Sequence, residues 1–138
     1  MYPPEITIPM AQELTSVGFE EVKTADKVKA ILENESGTLL VAINSVCGCA
    51  AGNARPALKR SLQNEVLPDN RITVFAGVDR EATAKVREYL LPYPPSSPSI
   101  ALFKDGKLVH MIERLHIEGV SANRISEGLK EAYNTYCK

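Results

Sequence analysis

No apolar run in this 138-residue chain approaches the ~18 residues of a membrane span. Charge of one sign is not in excess either. Sixteen basic residues face 17 acidic ones, for a net charge of −1. The totals therefore carry no electrostatic footprint for nucleic acid or an anionic membrane. Lys23, Lys27 and Lys29 alternate with Glu20, Glu21 and Asp26, the pattern of solvated helix faces. The first ten residues hold three prolines and a glutamate, without the basic start and apolar stretch of a signal peptide. A cytoplasmic location is expected. Cysteine is scarce: Cys47, Cys49 and Cys137 are an odd count, too few for a disulfide scaffold. In a reducing compartment such cysteines are buried, metal-binding or catalytic. Repeats, low-complexity tracts and linkers are missing, so residues 1–138 read as one domain.

What is present is an ordinary globular composition, 44% hydrophobic and 24% charged. The residues through Pro9 read as extended, because proline disfavours helix at the residue before it. A short helix over 10–16 follows, ended by Gly18. Thr24 opens a helix whose stripe is Val28, Ile31 and Leu32, stopped by Asn34 to Gly37. The continuous apolar run Thr38 to Ile43 predicts a strand buried on both faces. A helix over 50–64 follows, with Pro56 as a kink, then a strand over 71–78. Asp79 is placed to cap a helix running to about Leu91, with Ala82, Val86 and Leu90 as its stripe. A segment crowded with turn formers, Pro92 to Pro98, leads to a strand over 99–103. Asp105-Gly106 is a hairpin signal, with a return strand over 107–112. Val120, Ile125, Leu129, Ala132, Tyr133 and Tyr136 form the stripe of a last helix. The expected architecture is an α/β sandwich: a mixed sheet of parallel strands plus a C-terminal antiparallel hairpin, with helices on both faces.

Cys47-Gly48-Cys49 falls where the buried strand passes into a helix. A helix N-terminus offers unpaired amide donors and the positive end of the dipole, which stabilise a thiolate. Cys47 is nearest those donors, so it is assigned as nucleophile and Cys49 as resolving thiol. A disulfide between residues two apart closes a small, easily strained ring and is expected to be relatively oxidising. Gly48 suits the turn because it lacks a Cβ and tolerates unusual backbone angles. The rival reading is a soft metal ion held by the two thiolates. A structural zinc site needs two more ligands, and only Cys137, His110 and His116 remain as candidates.

These features resemble the thioredoxin superfamily: the buried strand, cysteines at the start of the next helix, and Pro56 within it. Ser97-Pro98-Ser99 resembles that superfamily's cis-proline loop, which implies a cis Pro98 facing Cys47. A closer resemblance is to the bacilliredoxin family. It is carried by Asn44-Ser45-Val46-Cys47-Gly48-Cys49-Ala50-Ala51-Gly52-Asn53-Ala54-Arg55-Pro56, the N-terminal Met-Tyr-Pro-Pro, the Pro94 to Ser99 loop and the ending Tyr136-Cys137. It implies a thioredoxin-like three-layer sandwich that removes bacillithiol from mixed disulfides on cytoplasmic proteins. Bacillithiol is then the thiol co-substrate and the redox-active pair replaces any bound cofactor. Disulfide isomerase activity is the related reading, and a non-catalytic metal-binding or adaptor role the reading of another class. The resemblance implies that Pro98 shapes the substrate groove, and the Ser97 backbone is placed to pair with an extended client. Thioredoxin's buried acid before the cysteines has no counterpart, since Thr38 to Val46 contains no Asp or Glu. That favours an external thiol to complete the cycle.

For Arg55 two readings stand: a ligand for a carboxylate of bacillithiol's malate, or a solvated helix arginine. Asn53 is a candidate hydrogen-bond partner near the cysteines, with a surface role as the alternative. Cys137 reads as a terminal thiol, with a regulatory or resolving role as the alternative. His110 and His116 belong to no motif, and Tyr133 and Tyr136 read as core. Asn34-Glu35-Ser36 matches a glycosylation acceptor that a cytoplasmic location makes irrelevant. A monomer is favoured, with bacillithiolated or disulfide-bonded proteins as partners.

Overall fold

A computed structural model describes residues 2–34 and 36–138, which leaves the Asn34-Glu35-Ser36 triplet partly outside the described residues. Helix α1 spans Pro4–Thr15, strand β1 Glu20–Glu21, α2 Ala25–Asn34 and β2 Thr38–Asn44. A π-helical turn, Ala50–Ala54, runs into α3, Arg55–Ser61. Then come β3 (Asn70–Phe75), α4 (Arg80–Glu88), β4 (Ser99–Lys104), β5 (Lys107–Ile112) and α5 (Ala122–Tyr136). The sheet order is β1-β3-β2-β4-β5. Strands β1, β3 and β2 are parallel, and β4 and β5 are antiparallel to their neighbours.

Strand β2 lies at the centre and all seven of its residues are buried. Its pleat sends alternate side chains to opposite faces. Leu39, Val41 and Ile43 pack with Val28 and Leu32 of α2 and Ala82 and Val86 of α4. Leu40 and Ala42 pack with Leu14 of α1, Ala57 and Leu58 of α3, and Leu129 and Tyr133 of α5. Each fully buried Leu or Val contributes about 1.5–3 kcal/mol. This two-sided core explains the unbroken apolar run. It also holds the C-terminal end of β2, where the cysteines follow, in a fixed place.

Four expectations change. Helix α1 begins at Pro4, because proline is tolerated in a first turn, and Pro9 is carried inside the helix. Strand β3 stops at Phe75 and leaves Val78 exposed, since Gly77 turns the chain with φ +86. Asp79 precedes α4 without capping it through its side chain. Its carboxylate instead accepts from the Phe75 N–H at 3.1 Å, closing the loop back on the strand. The expected helix over 50–64 is split, with a π-helical turn ahead of Pro56 and a regular α3 from Arg55. Pro56 would crowd the carbonyl four residues earlier in an α-helix, and the wider turn relieves that clash. The hairpin is as expected, with Asp105 and Gly106 both at positive φ.

Candidate active site

The turn after β2 rests on a buried polar network. Asn44 Oδ1 accepts from the Ser45 N–H and from Arg55 Nη1, each at 2.9 Å. Arg55 Nη1 also donates to the Ser45 carbonyl at 2.9 Å, and Arg55 Nε to Glu13 Oε2 at 3.1 Å. Asn44 Nδ2 donates to the Met10 carbonyl at 3.2 Å, which ties α1 to the same turn. Above the network, Ser45 Oγ accepts from the Cys47 N–H at 3.2 Å. Both expectations for Arg55 are corrected here. Its side chain is 2% exposed and its donors face inward, so it neither meets solvent nor reaches a substrate. It braces the turn that carries Cys47.

Cys47 is half-buried, Cys49 is buried, and both are free thiols. Their Sγ atoms are 2.7 Å apart, and the Cys49 N–H donates to Cys47 Sγ at 3.4 Å. The Cys47 carbonyl accepts from the Ala50 N–H at 2.9 Å and the Ala51 N–H at 3.2 Å, starting the helix. The two thiols are driven apart in acidity. Hydrogen bonds from the Cys49 thiol and then the Cys49 N–H lower the Cys47 pKa, and Arg114 lowers it further. Burial, then the hydrogen bond and charge of Cys47, raise the Cys49 pKa. Cys47 is thus the member poised as thiolate, and Cys49 its proton donor.

Gly48 is exposed, and a Cβ there would meet nothing within 4 Å. Its φ is not positive, so the turn makes no demand on glycine's wider backbone range. A side chain at this position would project into open space. Asn53 points away from the cysteines, donating from Nδ2 to the Val120 carbonyl. That contact fastens the π-helical turn to the loop before α5, so Asn53 does not join the site.

The Ser97–Pro98 peptide bond is cis, as is Leu91–Pro92. Pro98 itself is buried, and Ser97 lines the groove beside Cys47. This groove, about 460 Å³, is also walled by Tyr2, Ala76, Gly77, Arg87 and Arg114. Arg114 donates from Nη1 to the Ser97 carbonyl at 3.3 Å and from Nε to Glu118 at 3.2 Å. Part of the Ser97 backbone expected to pair with a client is therefore already engaged. Neither Arg87 nor Arg114 was singled out by sequence. Each stands far along the chain in a segment without a motif, and only the fold brings them to Cys47.

Cys137 lies at the opposite end of the sheet, next to Thr38, Asp69 and Lys104. The length of β2, about 20 Å, separates it from Cys47, so it cannot resolve a disulfide there. Among the described residues no three His, Cys, Asp or Glu side chains cluster to hold a metal ion. No described helix is long and apolar enough to cross a membrane.

A parallel–antiparallel sheet between two helical layers, with a paired thiol at the end of its central strand, defines a thioredoxin-like thiol–disulfide oxidoreductase. Solved structures agree on the fold. The oxidised mitochondrial thioredoxin 3 of Saccharomyces cerevisiae superposes with a TM-score of 0.58 at 18% identity, over 89% of this chain and 98% of that one. The thioredoxin of Fasciola hepatica gives 0.57 at 24% identity, over 86% and 99%. A family model described as disulphide isomerase matches residues 2–137. The bacilliredoxin of Cytophaga hutchinsonii is 55% identical over 134 residues, 97% of this chain and 98% of its relative. That of Halalkalibacterium halodurans is 53% identical over 137 residues, 99% and 95% of the two chains. The chain belongs to the bacilliredoxin family.

Proposed function

We propose that the protein removes bacillithiol from mixed disulfides on client proteins. The supporting observation is a groove lined by Cys47, whose pKa is lowered, with the buried Cys49, whose pKa is raised, directly behind it. The Cys47 thiolate attacks the bacillithiol sulfur of the mixed disulfide. A Cys47–bacillithiol disulfide forms, the client–sulfur bond breaks, and the client thiolate takes a proton from water. Cys49, as thiolate, then attacks Cys47 Sγ, releasing bacillithiol thiolate and closing the Cys47–Cys49 disulfide. No electrons are gained or lost overall, since two thiols and one disulfide exchange partners.

The second step has its own timing. Two of the influences that raise the Cys49 pKa are the hydrogen bond and charge of Cys47. Both vanish once Cys47 is in a disulfide, leaving burial opposed by Arg114 and by the Cys49 backbone N–H. Deprotonation of Cys49 is therefore easier once Cys47 has reacted. Burial still slows it, and a second small thiol attacking Cys47 is the competing exit. The description of the matching family favours a second reading, shuffling of client disulfides by the same Cys47.

Intact-mass spectrometry of reduced protein with a bacillithiolated client tests the assignment. Cys49→Ala should gain one bacillithiol as the client loses it, and Cys47→Ala should gain none. If no variant strips the client while scrambled disulfides are rearranged, the isomerase reading replaces this one. Loss of single-turnover transfer in Cys49→Ala would show that Cys49 is needed in the first step.

A further inference from the structure

The groove beside Cys47 has two arginines in its wall and no carboxylate. They come from unrelated parts of the fold: Arg87 from the last turn of α4, Arg114 from the turn after β5. Arg114 is anchored by Glu118 and the Ser97 carbonyl but remains 43% exposed. Arg87 differs. Its Nε is buried without a hydrogen-bond partner, and among the described residues its side chain has no ion pair. A buried guanidinium donor without an acceptor is costly, and no described carboxylate offsets the charge that Arg87 brings to the groove wall. Across the groove, Tyr2 lies against Gly77, whose Cβ position falls 2.7 Å from the Tyr2 ring. An aromatic wall and two guanidinium groups thus surround the space that a disulfide partner of Cys47 must occupy.

We propose that Arg87 and Arg114 form a carboxylate cradle beside Cys47 that selects anionic small thiols over neutral ones as the group taken from a client. The inference rests on the de-thiolation reading above and names the chemistry that the small-thiol half must carry. Guanidinium groups match carboxylates in shape, and charge-assisted bonds in a partly desolvated groove are the stronger kind. A carboxylate there meets the charge that Arg87 and Arg114 bring to the groove wall. It also keeps the small thiol, rather than the client chain, against Cys47, so that its sulfur is the one attacked. The malate of bacillithiol carries such carboxylates.

The test uses full-length Cys49→Ala protein in single turnover. One client peptide is supplied as its mixed disulfide with bacillithiol, with mercaptosuccinate or with 2-mercaptoethanol. Transfer to Cys47 is followed by intact mass. In the Cys49→Ala background the anionic thiols should be taken faster than the neutral one. Raising salt from about 0.01 M to about 1 M should narrow that gap. Adding Arg87→Gln should cut the anionic-to-neutral rate ratio about tenfold, and Arg87→Lys should restore part of it. The Cys47 pKa is measured in every variant by thiolate absorbance. A ratio unchanged in Arg87→Gln, or one that moves only in step with the Cys47 pKa, overturns the cradle. Slow reaction with bacillithiol alone, beside fast reaction with mercaptosuccinate, overturns the bacillithiol reading and leaves the cradle standing.

Discussion

Strand β2 has a cysteine near each of its ends, and the two thiols are tuned in opposite directions. At the C-terminal end, Cys47 receives hydrogen bonds from a thiol and a backbone amide, and its pKa is lowered. At the N-terminal end, Cys137 packs against the core of α1, α3 and α5, and burial raises its pKa. Nearby Asp69 raises it further. Both thiols are half-buried, so exposure alone does not set reactivity. The difference lies in the balance at each sulfur: hydrogen bonds outweigh burial at Cys47, whereas at Cys137 burial and Asp69 outweigh the hydrogen bond of Thr38 and the charge of Lys104.

The largest expected effect breaks the comparison outright. Cys47→Ala should reduce thiol transfer to the uncatalysed rate, because among the described residues Cys47 is the one thiol that lines the groove. Cys137→Ala should stay within about twofold of wild type. Steady-state rates on one mixed-disulfide client decide this, and a Cys137→Ala enzyme as dead as Cys47→Ala would refute the separation of the two ends.

The next prediction sharpens it by pH. Alkylation requires thiolate, so each rate climbs as pH rises through that sulfur's own folded pKa. The Cys47 rate should reach half its plateau below the pH expected for an ordinary thiol, and the Cys137 rate above it. Peptide mapping after short iodoacetamide pulses separates the two. Equal midpoints would mean that the surrounding groups do not tune them.

Stability should also be lopsided. Arg55→Ala removes a buried guanidinium from Glu13, Asn44 and the Ser45 carbonyl, so the turn loses three bonds and the Ser45 carbonyl its Arg55 donor. A cost of about 3 kcal/mol in denaturant unfolding is expected. At the far end of α3, Tyr133→Phe loses one bond, the 2.9 Å hydrogen bond between its hydroxyl and Ser61 Oγ, and should cost about 1 kcal/mol. If Arg55→Ala cost no more than Tyr133→Phe, the network under Cys47 would not be what holds the turn.

Legibility followed the range of the interactions. The buried β2, the hairpin at Asp105-Gly106 and the stripe of α5 depend on neighbours in sequence, and residue patterns disclose them. The two cysteines were legible for the same reason: donor, spacer and acceptor lie within three residues. Arg55 was misread because its partners, Glu13 and Asn44, are 42 and 11 positions away, and one sequence cannot tell a buried arginine from a solvated one. Arg87 and Arg114 were invisible because the groove exists only after α4 and the turn following β5 have docked beside β2. Pro4 and Pro9 misled the reading of α1, since proline argues against helix everywhere except in a first turn or where packing overrides it.

The smallest expected effect contrasts two glycines, one at each end of β2. Gly37, just before the strand, has φ +87, and a Cβ there would collide with the Asp69 carboxylate. That carboxylate accepts from the Thr38 N–H at 2.9 Å, so Gly37→Ala should strain the backbone and dislodge the bond. A loss of about 1–2 kcal/mol follows. Gly48 has an ordinary φ and open space where a Cβ would go. Gly48→Ala should therefore leave stability unchanged or raise it by about 0.4–1 kcal/mol, through a less flexible unfolded chain. Its methyl group would nevertheless stand in the path of a client approaching Cys47. The same variant should then show equal or greater stability in urea with slower transfer from a protein client. Alkylation by a small reagent should change little, since such a reagent needs far less room. A Gly48→Ala protein that strips a bulky client as fast as wild type would show that clients approach Cys47 from the Ser97 side of the groove instead.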